Sequence, residues 1–111
     1  MKISEVVSNL QNFISSVSHL LPANLNKIIV FGSYARGEAT IRSDVDLALV
    51  FDGEGPTERK YIAAVREILD DFDEFLKIDL FCTNQTKINT VDNKFNANYW
   101  IREDGKLIWT R

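Results

Sequence analysis

Ile3, Val6, Val7, Leu10, Phe13, Ile14, Val17 and Leu20 recur at three- and four-residue steps, the spacing that gathers one apolar stripe on a helix face. The stripe predicts a first helix of about 17 residues, which Pro22 and Asn24 end. Lys27 to Phe31 reads KIIVF, a β-branched run too short for a helix and stopped by Gly32, and predicts a buried strand. Ser33 to Glu38 predicts one short helical turn. After a polar loop over 38–43, Val45 to Phe51 predicts a second strand, closed by the turn cluster Asp52-Gly53-Glu54-Gly55.

Pro56 suits the first turn of the next helix. Tyr61, Ile62, Val65, Ile68, Leu69, Phe72 and Phe75 give that helix a core-facing stripe down to residue 75, while Glu58, Arg59, Lys60, Arg66, Glu67, Asp70, Asp71 and Asp73 form its polar face. Lys77 to Cys82, KIDLFC, predicts a third strand. A polar stretch, a short helix from Val91 to Arg102 and a last strand from Lys106 to Thr110 complete the pattern. The alternation predicts an α+β fold of α/β-like character, with helices packed on one small mixed sheet.

A length of 111 residues predicts one domain over 1–111 with one packed core. Hydrophobic residues at 45% and charged residues at 26% exclude a disordered or collagen-like chain. With 13 basic against 16 acidic residues, the net charge of -3 argues against a broad basic face for nucleic acid. One Cys and one His cannot furnish the four ligands of a structural zinc site. The first residues, MKISEVVSNLQNFISS, are interrupted by Glu5, Ser8, Asn9, Gln11 and Asn12. No signal peptide or membrane span is therefore expected there, and the expected location is cytoplasmic.

The candidate chemistry lies in Phe31 to Phe51, FGSYARGEATIRSDVDLALVF. Asp44 and Asp46 fall on one side of the second strand, about 6 to 7 Å apart along it, within reach of a common cation. Val45, Leu47, Leu49 and Phe51 form an opposite face that is wholly apolar and suits the helices, leaving the aspartate face for a site. Asp79 stands between Ile78 and Leu80, a charge in an apolar run that calls for a compensating cation, proton or donor. Three carboxylates with oxygen ligands only suit Mg²⁺, or alternatively Mn²⁺, and a pair of such ions serves phosphoryl or nucleotidyl transfer.

Gly32-Ser33 supplies a triphosphate binder: glycine lets backbone N–H groups approach an anion, Ser33 adds a hydroxyl and the short helix presents its positive end. Arg36 and Arg42 are nearby cations for the phosphates, and Lys27 and Ser43 are further candidates. Gly32 and Gly37 share the G-x4-G spacing of a Walker loop, but Glu38-Ala39 replaces its Lys-Ser/Thr. Cys82 reads as a small buried hydrophobe, His19 as a surface residue near a helix end, and Tyr99, Trp100 and Trp109 as core or edge packing residues, with an interface as the alternative.

Gly32-Ser33, ten intervening residues, Asp44-Val45-Asp46 and a third aspartate on a later strand resemble the minimal nucleotidyltransferases of the DNA polymerase β superfamily. The forms FGSYARGE, SDVDLALV, KIDLF and IREDGKLIW extend the resemblance from residue 26 to 109. It implies transfer of AMP from ATP to a hydroxyl with release of pyrophosphate. Gly32 and Ser33 are then expected to hold the β- and γ-phosphates, Asp44 and Asp46 two metal ions, and Asp79 to share the catalytic metal and help deprotonate the acceptor.

Within 111 residues no segment is expected to remain for holding an acceptor, so the acceptor is expected to be small or to bring its own surface. Chains of this kind are typically paired with an all-helical HEPN toxin. The resemblance thus implies the antitoxin of a toxin-antitoxin module, acting in a hetero-oligomer by adenylylating the RNase toxin, on a tyrosine hydroxyl. Two alternatives stand beside it: a nucleotidyltransferase for an aminoglycoside-like small molecule, and a binding module that neutralises its partner sterically.

Overall fold

A computed structural model describes residues 2–53, 58–73 and 76–111. The expectations for Glu54, Gly55, Pro56 and Phe75 lie outside the described residues.

The chain runs α1 (Ile3–Ser16), β1 (Leu25–Phe31), α2 (Ser33–Arg36), β2 (Val45–Phe51), α3 (Glu58–Leu69), β3 (Ile78–Asn84), α4 (Gln85–Thr90), α5 (Ala97–Asp104) and β4 (Lys106–Thr110). The strands form one sheet in the order β3-β2-β1-β4. β1 is antiparallel to β2 and to β4, whereas β2 and β3 are parallel. The parallel pair follows from α3, since a parallel return needs a crossover connection. The expected mixed α+β fold is what the chain forms.

Strand parity assigns the two faces. Ile28, Val30, Val45, Leu47, Leu49 and Ile78 join Val6, Leu10 and Ile14 of α1 and Val65 and Leu69 of α3 in the larger core cluster. On the reverse face, Ala48 and Val50 pack with Ile88 of α4 and Ile101 of α5, flanked by Ile29, Phe31 and Phe81. From Leu47 to Val50 every residue of β2 is at most 1% exposed, as expected of a strand covered on both faces. The aspartate face is therefore not left wholly to a site: α4 and α5 cover the Ala48–Val50 half, and only the end bearing Asp46 and Asp79 stays open.

Several boundaries differ from expectation. The first helix stops at Ser16, and Ser18–Leu20 forms a separate 3₁₀ turn. The helix expected over 91–102 is two helices, α4 and α5, displaced to either side. Asparagine caps decide this: Asn84 accepts from Lys87 N at 2.8 Å and Asn96 from Asn98 N at 2.9 Å, each starting a helix at its own position. The Arg102 guanidinium then donates to Val91 O at 2.7 Å and Ile88 O at 3.2 Å, satisfying carbonyls at the end of α4. β3 runs past Cys82 to Asn84, because Thr83 and Asn84 are buried and pair with Val50 and Phe51.

Candidate active site

The site is built at one end of the sheet, where two glycine turns flank α2. β1 ends at Phe31, and Gly32 takes φ 72° and ψ -152° to turn the chain into α2. This conformation lies in a region almost confined to glycine. A Cβ on Gly32 would overlap the carboxylate of Asp46, so the glycine is needed both for its backbone and for its bareness. Gly37, with φ 74° and ψ 21°, ends α2 in the left-handed conformation. Phe31 pairs with Asp46 across β1–β2, and Asp46 pairs with Asp79 across β2–β3. Turn, first carboxylate and second carboxylate thus lie side by side across three strands. Asp44 lies one residue before β2 rather than on it, yet close enough for its charge to act on Asp46.

Electrostatics are strained at this point. The pKa of Asp46 is raised above 3.8, first by burial, then by the charges of Asp79 and Asp44, with Arg36 acting in the opposite sense. Like charges crowd one carboxylate, and a cation relieves that arrangement. Asp79 itself is exposed. The compensation expected for a charge buried in an apolar run is unnecessary, because edge strand β3 leaves this side chain in water. Among the described residues, no three acids, histidines or cysteines are drawn together into a ready metal shell. Asp44 Oδ2 instead meets Lys77 Nζ at 3.4 Å. The donor set nevertheless fits Mg²⁺ or Mn²⁺: all-oxygen, anionic and mutually repulsive on one sheet edge.

The remaining candidates divide. Arg36 bonds Glu38 through Nε at 3.1 Å and reaches Asp104 at 4.0 Å, so it borders the carboxylates while tied to α5. Arg42 is exposed on the loop before β2. Ser43 is committed to that loop, its Oγ accepting from Thr40 N at 2.9 Å. Ser33 opens α2, a helix of only four residues, which limits any dipole contribution there. Lys27 is not brought to the site. It pairs with Val50 at the opposite end of β1, about 13 Å along the strand from Phe31, and donates to Gln85 Oε1 at 3.0 Å.

Two residues near the carboxylates were given no functional role in the sequence reading. Lys77 meets Asp44, and Arg66 donates to Ile78 O at 3.0 Å. Both line, with Asp70 and Asp79, an open cavity of about 240 Å³ between α3 and β3. Lys77 had a signal, since it lies two positions before Asp79 in KIDLF; Arg66 on a polar helix face had none.

The family model described as Polymerase beta, Nucleotidyltransferase matches residues 10–110. Two curated proteins of Methanocaldococcus jannaschii, MJ0141 and MJ0604, each named "Putative protein adenylyltransferase", are 40% identical over 53 and 43 residues. These stretches are 48% and 39% of this chain and 52% and 43% of the relatives. The chain thus spans about half the length of the curated relatives it matches. Among solved structures, a "putative nucleotidyltransferase" from Sulfolobus solfataricus superposes with a TM-score of 0.65 at 21% identity, over 98% of this chain and 84% of that one. A chain of a toxin-antitoxin structure with AMP-PNP gives a TM-score of 0.62 at 20% identity, over 91% and 73%. A chain from the complex of a tri-AMPylated Shewanella oneidensis HEPN toxin with MNT antitoxin gives 0.55 at 17%, over 91% and 72%. At these identities the structural likeness is one of fold.

Proposed function

Since this chain belongs to the Polymerase beta nucleotidyltransferase family, we propose that it transfers AMP from ATP to a hydroxyl of a protein partner and releases pyrophosphate. The observation that carries the proposal is the fit of bare Gly32 against the Asp46 carboxylate, with Asp79 beside it and Asp44 two residues before. A glycine turn of the kind that suits a phosphate thus lies against one carboxylate with two others nearby.

The reaction asks the protein for charge neutralisation and in-line positioning rather than a nucleophile of its own. Gly32 and Ser33 hold the β- and γ-phosphates, the first by backbone approach and the second by its hydroxyl. Asp44 and Asp46 would hold two divalent cations, Mg²⁺ or Mn²⁺, with Asp79 sharing one of them. Bound there, such ions neutralise the triphosphate and the developing charge on the leaving pyrophosphate. The acceptor oxygen bonds to the α-phosphorus as the bond to the bridging α,β-oxygen breaks, and the hydroxyl proton passes towards Asp79. Arg36, beside Asp46, and Arg42 and Ser43, on the loop before Asp44, border the phosphate path.

The partner in this proposal is an all-helical HEPN toxin, and the chain is its antitoxin, modifying a tyrosine hydroxyl. Adenylyltransferase relatives and a fold shared with chains of toxin-antitoxin complexes support it. Net charge of -3 also suits a partner that binds RNA. The test is to purify the chain with the product of the adjacent gene, add Mg²⁺ and ATP, and weigh the neighbour by mass spectrometry. A gain of one or more AMP units is expected, and an unmodified neighbour overturns the proposal. If Asp44→Ala with Asp46→Ala abolishes modification while binding and growth rescue persist, neutralisation is steric. Transfer to a soluble aminoglycoside by the chain alone makes the acceptor a small molecule.

A further inference from the structure

Lys77 is a cation beside the carboxylates that no step above employs. Its ammonium stands 3.4 Å from Asp44 Oδ2, with the lysine side chain 72% exposed and the aspartate 34%. Its backbone, by contrast, is fixed: Lys77 O accepts from Val45 N at 2.9 Å, at the head of the parallel pair β2–β3. A flexible four-carbon stem on an anchored backbone can move its charge without moving the sheet. The cavity between α3 and β3 opens beside it, and Asp79 is on the same wall.

Alternatives are less mobile. Arg36 is held by Glu38 and Asp104, and Arg66 is spent on the carbonyl of Ile78. An exposed ion pair is weak and exchanges readily, whereas a divalent cation brings two charges to the same oxygen.

Resting on the transfer reaction proposed above, we propose that Lys77 is a positioning residue that holds Asp44 in the nucleotide-free protein and passes to the triphosphate when a divalent cation displaces it. One lysine thus neutralises Asp44 before a metal arrives and supplements Gly32 and Ser33 once the nucleotide is bound. The cation it leaves behind and the phosphate it joins are both ends of the same exchange, so the two affinities shift in opposite directions when it is removed.

The experiment titrates the full chain with Mn²⁺ alone, and then with a non-hydrolysable ATP analogue at saturating Mn²⁺, by calorimetry. Lys77→Met is expected to tighten Mn²⁺ binding in the nucleotide-free protein about two- to fivefold, the range of an exposed pair. It is expected to weaken the analogue several-fold. In an Asp44→Asn background the same substitution leaves Mn²⁺ affinity unchanged, which separates a specific pair from a general loss of positive charge. Unchanged or weaker Mn²⁺ binding in Lys77→Met, an unaltered analogue affinity, or the same tightening in the Asp44→Asn background overturns the role of Lys77. Mn²⁺ binding that is indifferent to Asp46→Asn overturns the metal site itself, and with it the exchange.

Discussion

Asp46 sits where its surroundings disfavour its charge. Burial and the neighbouring charges of Asp79 and Asp44 raise its pKa above 3.8, and Arg36 only partly opposes them. A carboxyl group with a raised folded-state pKa binds its proton more tightly in the fold. Its stabilising contribution is therefore complete below the unfolded value and lost as pH climbs through the folded one. Above its folded-state pKa the group costs stability, so Asp46→Asn should make the protein more stable at pH 7 while removing a ligand that the proposed reaction needs. After discounting for solvent screening, a rise in Tm of about 1–4 °C at pH 7 is expected. The gain should shrink as pH falls below the range in which Asp46 loses its proton. Melting curves at several pH values check this, and a variant less stable than the parent at pH 7 contradicts it. A group that opposes the fold yet sits beneath a glycine that nothing larger could replace is the pattern expected of a functional site.

At the scale of elements, the two helices on the aspartate face are fastened by polar residues. Thr83 of β3 donates its hydroxyl to Asn98 Oδ1, and Asn98 Nδ2 donates to Asn96 Oδ1 at 3.1 Å. Thr83 and Asn98 are each 5% exposed. Thr83→Val keeps the shape but leaves the Asn98 oxygen buried without that donor, which should cost about 1–3 kcal/mol. Denaturant unfolding measures it, and a loss below a few tenths of a kcal/mol would mean that water replaces the threonine. The same seam explains what was legible in the sequence. β2 was readable to the residue because seven residues from Val45 to Phe51 carry uninterrupted strand character. α4 and α5 were not, because TNQTKINT has no apolar stripe and its helix is set by the Asn84 cap. Likewise Gly32, Asp44, Asp46 and Asp79 could be named from spacing and strand parity. That Lys77 would face Asp44 while Lys27 would not depends on strand order, which no local pattern encodes.

For the whole molecule, the consequence is a rigid floor with one open end. Helices cover both faces of the sheet, β2 is buried along its centre, and the carboxylates lie where the cover stops. Among the described residues no helix is long and apolar enough to cross a membrane. Repulsion at that end is a standing cost of the ligand-free fold, so a ligand that relieves it must couple to global unfolding. Mg²⁺ with a non-hydrolysable ATP analogue at about 100 times Kd should stabilise the protein by about 2.7 kcal/mol, a shift of roughly 10 °C for a chain of this size. Mg²⁺ alone should raise the Tm of the parent and leave Asp46→Asn unmoved, because the variant has neither the repulsion nor the ligand. Differential scanning fluorimetry with the four combinations of protein and ligand decides the matter. Equal shifts in parent and variant would place the cation elsewhere, and no shift with the analogue would detach the Gly32 turn from triphosphate binding. A shift confined to the parent ties the carboxylate repulsion to the site that discharges it.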